Sequence, residues 1–251
     1  KMEFYSYFGG KKIRINLEQP IDISIPLKFS KKSLKAWGVS SAEKKAIEIG
    51  SWIGNVKKGG AVNFNNIYFN PHAHVTHTEC VGHISESENS INLQLKNFFF
   101  FCKLITISPE KKQEDLVISK KSIFSILEKK ISINTLIIRT NPNSSNKKNK
   151  EYTGTNPPYL TEDCVLYLKE IGIENLLIDL PSIDKEKDGG KVKNHKIFFN
   201  LANGGNYNTI TEFVYVPNLI KDGDYFLNLQ FMPIENDAAP SRPVLFEINY
   251  V

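Results

Sequence analysis

The chain has 251 residues, 41% of them hydrophobic and 24% charged, so it can bury roughly 70–75% of its unfolded surface and needs no disulfide or structural metal to fold. Its net charge of +5 is spread over many lysines, without the arginine-rich, aromatic-interleaved clusters of a nucleic-acid binder. Three cysteines, Cys80, Cys102 and Cys164, form no CxxC pair, and no apolar run reaches the ~18 residues of a membrane span; a reducing, cytoplasmic setting is expected, with neither nucleic acid nor membrane as partner.

The first half reads as β-rich. "KKIRINL", "DISIPL" and "AVNFNNIYFN" cluster β-formers between turn signals, and "INLQLKNFFFFCKLITISPE" is a further strand zone whose four phenylalanines call for burial on both faces. "DLVISKKSIFSILEKK" carries apolar residues at helical spacing, with Ser119 as its N-cap. "NTLIIRT" is a buried strand that delivers Arg139 to its C-terminal edge. The Lys/Asn/Ser stretch "NSSNKKNKEYTG" reads as a solvated loop. "PPYLTEDCVLYLKEIGI" then reads as a helix between Thr161 and Gly172, and "ENLLIDLPSID" as a second apolar strand, with Asp179 and Asp184 either orienting ligands or pairing with Arg242. "FVYVPNLI" and "YFLNLQFMPI" are expected strands, followed by a loop and closing strand in "DAAPSRPVLFEINYV". The order of elements predicts one mixed α/β domain over residues 1–251, with a βαβ-like unit in a mixed sheet.

Four of the five histidines fall in "NPHAHVTHTECVGHI", residues 70–84, together with Glu79. Imidazole and carboxylate are the ligands a zinc- or manganese-like ion prefers. On an extended segment residues two apart share a face, so His77 and Glu79 can reach one ion side by side, while Cys80 faces away and packs. His72 and His74 have the opposite parity, so either can join only if the backbone bends around Val75–Thr76. The fifth, His195, sits in "DGGKVKNHKIFFN", read as a Gly-rich turn leading into an aromatic strand; by itself it is a surface loop residue.

This pattern resembles the cyclase family of metal-dependent hydrolases, the group of kynurenine formamidase and isatin hydrolase, whose hallmark has the form HxGTHxDxPxH. "THTECVGH" is similar to its second half, with Glu79 in place of the usual Asp. "NTLIIRT", "LLIDLPSID", "TITEF" and "DAAPSRPVLF" resemble later family blocks in the right order. Where the family's first histidine stands, this chain has Ala73, and Val75 replaces the glycine.

The resemblance implies a swivelling β/β/α fold. It implies His72 or His74, His77, Glu79, His195 and Glu212 as ligands of one or two zinc or manganese ions, His83 in acid/base chemistry, and a homodimer or homotetramer. The activity implied is hydrolysis of a small-molecule amide, formamide or cyclic imide or lactam by metal-activated water. The alternative is a relative that binds metal and a small ligand without efficient chemistry, which Ala73, Val75 and Glu79 favour.

Overall fold

Every residue of the Thr135–Thr140 strand is buried, because both of its faces are covered. Leu136 and Ile138 point to one apolar layer and Ile137 to another, the period-2 alternation of a strand inside two cores. Residues 2–127 and 133–251 are described by the computed structural model. Among them, seven strands close a ring in the order Ala238–Tyr250, Gly223–Phe231, Phe99–Ile107, Thr135–Thr140, Asn175–Ile178, Thr209–Glu212 and His77–Glu79, the last pairing back onto the first. The central four run parallel; the remaining pairings are antiparallel. This is the mixed α/β class expected, with the sheet closing like a barrel.

Inside the ring sit Cys102, Leu104, Ile137, Leu177, Leu227, Leu229 and Leu245. Outside the parallel strands, Ile105, Leu136, Ile138 and Leu176 pack on Ile123, Val165, Leu168 and Phe198, which belong to the helices Lys120–Phe124, Glu162–Glu170 and Lys193–Phe198. Each such side chain contributes about 1.5–3 kcal/mol on burial. The N-terminal hairpin Glu3–Phe8 and Lys11–Asn16 extends the sheet from the far end of Ala238–Tyr250.

Several sequence expectations shift. The helix expected from "DLVISKKSIFSILEKK" is a strand, Asp115–Ile118, followed by Lys120–Phe124, capped by Ser119 as anticipated; residues 128–130 lie outside the described ones. "FVYVPNLI" forms no strand. Its carbonyls at Val216, Pro217 and Ile220 are instead taken by Asn143 and Arg139 side chains, and the strand lies just before it, at Thr209–Glu212. "DAAPSRPVLFEINYV" is strand almost throughout, Ala238–Tyr250. The four-Phe run is not buried on both faces: Phe99 is 60% exposed. Nor is the basic loop wholly solvated, since Lys147 Nζ lies 2.7 Å from the buried Asp179 carboxylate. Arg242 pairs with Asp22 rather than with Asp179 or Asp184.

Candidate metal centre

His77 and Glu79 lie on one face of the three-residue strand His77–Glu79 and are fully buried. The residue between them, Thr78, turns the other way and its hydroxyl meets that of Thr211 at 2.8 Å. In the register, Glu212 stands directly across from His77, so the strand pairing alone puts the second carboxylate beside that histidine. On the opposite side Ala238 and Ala239 pair with Glu79 and Thr78, leaving room for the cluster. Thr76 anchors the approach: its hydroxyl donates to the Phe213 carbonyl and accepts from Ile25 N–H.

The two candidates for the first histidine separate cleanly. Pro71–His74 is a single helical turn, with Pro71 in its first turn and the Asn70 side chain capping His72 N–H. The turn swings His72 inward, so its Nδ1 lies 3.2 Å from Glu79 Oε2 and its ring faces those of His77 and His83, with centroids 4.9 Å and 4.2 Å away. His74 does not join. Its Nδ1 accepts from Asn70 N–H and its Nε2 lies 2.8 Å from the Ser40 carbonyl, so both ring nitrogens are spent on holding the turn. The bend that resolves the parity conflict therefore falls at residues 71–74 rather than at Val75–Thr76. Val75 itself is extended, with φ −157°, a conformation any residue adopts, so its β-branch is no obstacle.

His195 lies on the helix Lys193–Phe198, not ahead of an aromatic strand. Asp184 accepts from the backbone N–H groups of Asn194 and His195 and sits 2.6 Å from His195 Nδ1. A carboxylate can only accept, so Nδ1 carries the proton and Nε2 is left aimed at Glu79 Oε1, 3.0 Å away, and Glu212 Oε1, 3.8 Å away. In the same way the Val75 carbonyl, 3.1 Å from His77 Nδ1, leaves His77 Nε2 with its lone pair, 3.3 Å from Glu212 Oε2. His83 stands on the 3₁₀ turn Val81–His83 at the rim, a third exposed, with Nε2 3.9 Å from Glu79 Oε2.

Thus the structure brings together His72, His77, Glu79, His83, His195 and Glu212. Sequence reasoning missed Asp237, whose Oδ2 lies 2.8 Å from His72 Nε2 and 3.2 Å from His83 Nδ1. The only signal was its place at the head of "DAAPSRPVLF". It also missed Trp37, which donates its indole N–H to the His72 carbonyl and, with Pro181 and Val192, walls a cavity of about 320 Å³ over the cluster. Cys80 is buried in the barrel core, as its parity implied. Arg139 serves the fold, bonding Asp222, Thr106 and two carbonyls.

The donor set fits a divalent ion. His77 Nε2, both oxygens of Glu79 and Glu212 Oε1 are buried yet make no aligned hydrogen bond, although neighbours of the first three are 3.0–3.3 Å away and Glu212 Oε1 lies 3.8 Å from His195 Nε2. Donors about 2.1 Å from a shared ion stand about 3.0–3.4 Å from one another. His72, His77 and Glu79 each offer a donor atom within 4.8 Å of the other two, and so do Glu79, His83 and His195. A buried unpaired polar atom otherwise costs about 1–3 kcal/mol.

The electrostatics agree. Burial would raise the Glu79 carboxyl, but the charges of His83 and His195 and the close approach of His195 and His72 hold it well below the usual range. Burial, reinforced by the charge of Glu79, pushes Glu212 well above its own. Burial opposes charge on His72 and His195, yet their carboxylate neighbours lift both to about 10. Burial and the charge of His72 depress His77 to about 3.

A group with a raised pKa keeps its proton across neutral pH and releases it only when an ion displaces it. Zinc binding by the chelator-stripped protein is therefore expected to expel at least two protons, from His72 and His195, with Glu212 adding to the count, and its apparent affinity to fall by about 100-fold or more per unit as pH drops from 8 to 6. Calorimetric titrations in buffers of different ionisation enthalpy read the proton count. A pH-independent affinity would contradict this charge distribution.

Residues 21–185 match the model of the Cyclase family, described as "Putative cyclase"; this chain belongs to that family. No curated protein matches it. Among solved structures it is similar to a "predicted metal-dependent hydrolase" from Bacillus stearothermophilus, with 20% identity and a TM-score of 0.63 over 91% of this chain and 98% of that one. It is also similar to an isatin hydrolase bound to the product analogue thioisatinate, with 14% identity and a TM-score of 0.64 over 91% and 92%. Isatin hydrolase A from Ralstonia solanacearum aligns at 14% identity and a TM-score of 0.63 over 91% of both chains. At these identities the likeness is one of fold. Among the described residues no helix is long and apolar enough to cross a membrane.

Proposed function

We propose that the chain is a hydrolase of a small amide, formamide or cyclic imide or lactam, with His72, His77, Glu79, His195 and Glu212 holding zinc or manganese and His83 moving the proton. The observation that carries this reading is the set of buried, unaligned donors 3.0–3.8 Å from their neighbours at the floor of an open cavity. When bound, a divalent ion lowers the pKa of water and polarises a carbonyl.

The chain's own residues supply the rest. Asp184 and the Val75 carbonyl hold the Nδ1 protons of His195 and His77, so that His77 presents a lone pair at Nε2 as it stands and His195 presents one once its second proton leaves, with neither ring reorienting. His83 is the one histidine of the cluster at the solvent rim, with Nε2 facing Glu79, a position that supports its exchanging a proton between the reacting group and water. The wall of Trp37, Pro181 and Val192 is apolar, and Lys185 on the same wall is neutralised by Asp115 at 2.7 Å. A small neutral ring or amide fits there better than a multiply charged one.

The test is metal analysis of protein purified without chelator, followed by a hydrolysis panel of N-formylkynurenine, isatin and other cyclic amides. Bound zinc or manganese with turnover of at least one panel member is expected. Metal without turnover on any member moves the assignment to a relative that binds metal and ligand without efficient chemistry. Absence of both metal and turnover sinks the reading.

A further inference from the structure

We propose that Asp237 is a positioning residue that sets the tautomers of two histidines at once, with a single carboxylate oxygen accepting the Nε2–H of His72 and the Nδ1–H of His83. The inference rests on the metal-dependent reading above and adds a residue to it.

The geometry is specific. Asp237 Oδ2 lies 2.8 Å from His72 Nε2 and 3.2 Å from His83 Nδ1, and the two rings are stacked at 4.2 Å with 29° between their planes. A carboxylate oxygen only accepts, so both facing nitrogens carry protons. The opposite nitrogens, His72 Nδ1 and His83 Nε2, face the same oxygen of Glu79, at 3.2 Å and 3.9 Å, and are the ones that present lone pairs once a bound ion has displaced the second proton of His72. One residue thereby makes His72 a ligand through Nδ1 and makes Nε2 of His83 the proton-accepting atom.

Asp237 is held in place from several sides. Its carbonyl accepts Cys80 N–H, and the turn that presents His83 closes through His83 N–H to the Cys80 carbonyl, so Asp237 and His83 hang from one residue. Its neighbour Ala238 pairs with Glu79 in the sheet. Gly82 permits the close approach: a Cβ there would lie 2.0 Å from the Asn89 carbonyl oxygen and 3.2 Å from Asp237 Cβ. Among the described residues the side chain makes no other hydrogen bond than those to the two histidines, and it is only partly exposed, so truncating it removes little else.

The experiment compares zinc-loaded wild type, Asp237→Ala and Asp237→Asn by nitrogen-15 spectra of the imidazoles, zinc affinity and steady-state kinetics on any substrate the panel yields. Wild type is expected to show His72 protonated at Nε2 and His83 protonated at Nδ1. In Asp237→Ala the His83 signal becomes a tautomer mixture, zinc affinity falls about 10–100-fold, and kcat falls by at least a similar factor with KM little changed. Asp237→Asn, which keeps one carbonyl acceptor, is expected to recover part of each loss, and it carries the test if the alanine variant does not fold. If wild type binds zinc and both variants keep its tautomers, affinity and kcat, this inference is overturned and the functional reading stands. If wild type binds no zinc, the functional reading fails and this inference with it.

Discussion

Glu79→Gln is expected to lower zinc affinity by about 100-fold or more, a larger loss than the 10–100-fold typical when only an outer partner of a ligand is removed. Glu79 is the hub of the cluster: its two oxygens lie 3.0 Å from His195, 3.2 Å from His72 and 3.9 Å from His83, and it is the buried carboxyl held ionised by those neighbours. The amide is nearly isosteric, so shape is kept while the charge is lost.

Breaking a buried ionic contact from one side usually costs about 3–5 kcal/mol. Here the loss of stability in the chelator-treated protein should be smaller, because Glu212 is kept from ionising partly by Glu79 and takes over the negative charge once that repulsion is gone. Zinc titration and thermal unfolding measure the two effects. Unchanged zinc affinity in Glu79→Gln would remove Glu79 from the ligand set.

His83→Ala is expected to do the opposite: metal content unchanged and turnover lowered about 10²–10⁴-fold, the usual contribution of a positioned proton-transfer group. The contrast comes from where the two residues sit. Glu79 is fully buried at the floor, whereas His83 is a third exposed at the rim and lies farther from Glu79 than His72 and His195 do. Its removal leaves no buried orphan and should shift the unfolding midpoint little. Metal analysis beside kcat on the substrate found by the panel decides the matter. Loss of metal together with activity would make His83 a ligand and refute its proton-transfer role.

The substitution pattern in the histidine segment is intelligible once the local backbone is known. Ala73 stands where a histidine is usual in the family motif, but the turn Pro71–His74 rotates His72 onto the cluster instead. Glu79 is one methylene longer than the usual Asp. The feature that looked most damaging, Val75 in a glycine position, falls on extended backbone. Strain from positive φ sits instead at other non-glycine residues beside the site, among them Trp37 at φ 65° and Phe213 at φ 57°.

Much of this was legible in the residues. The short apolar runs in "NTLIIRT" and "ENLLIDLPSID" marked two buried strands, Thr161 and Gly172 bracketed the helix between them, and the two-residue spacing of His77 and Glu79 placed both on one face. Those features are local: propensity, capping and side-chain parity act over a few residues, and a strand buried on both faces advertises itself by composition alone.

The structure decided what depends on contacts between distant segments. His72 was separated from His74 by Asn70 and Ser40, which occupy both nitrogens of His74. Asp184 was turned from a possible partner of Arg242 into the support of His195. Asp237 was carried 154 residues along the chain to His83 because the closing strand pairs with the His77–Glu79 strand. Side-chain identity and local period can therefore announce that a chain holds a His/Glu centre, but which nitrogen faces inward is set by hydrogen-bond partners from elsewhere in the fold, and no spacing in the sequence encodes them.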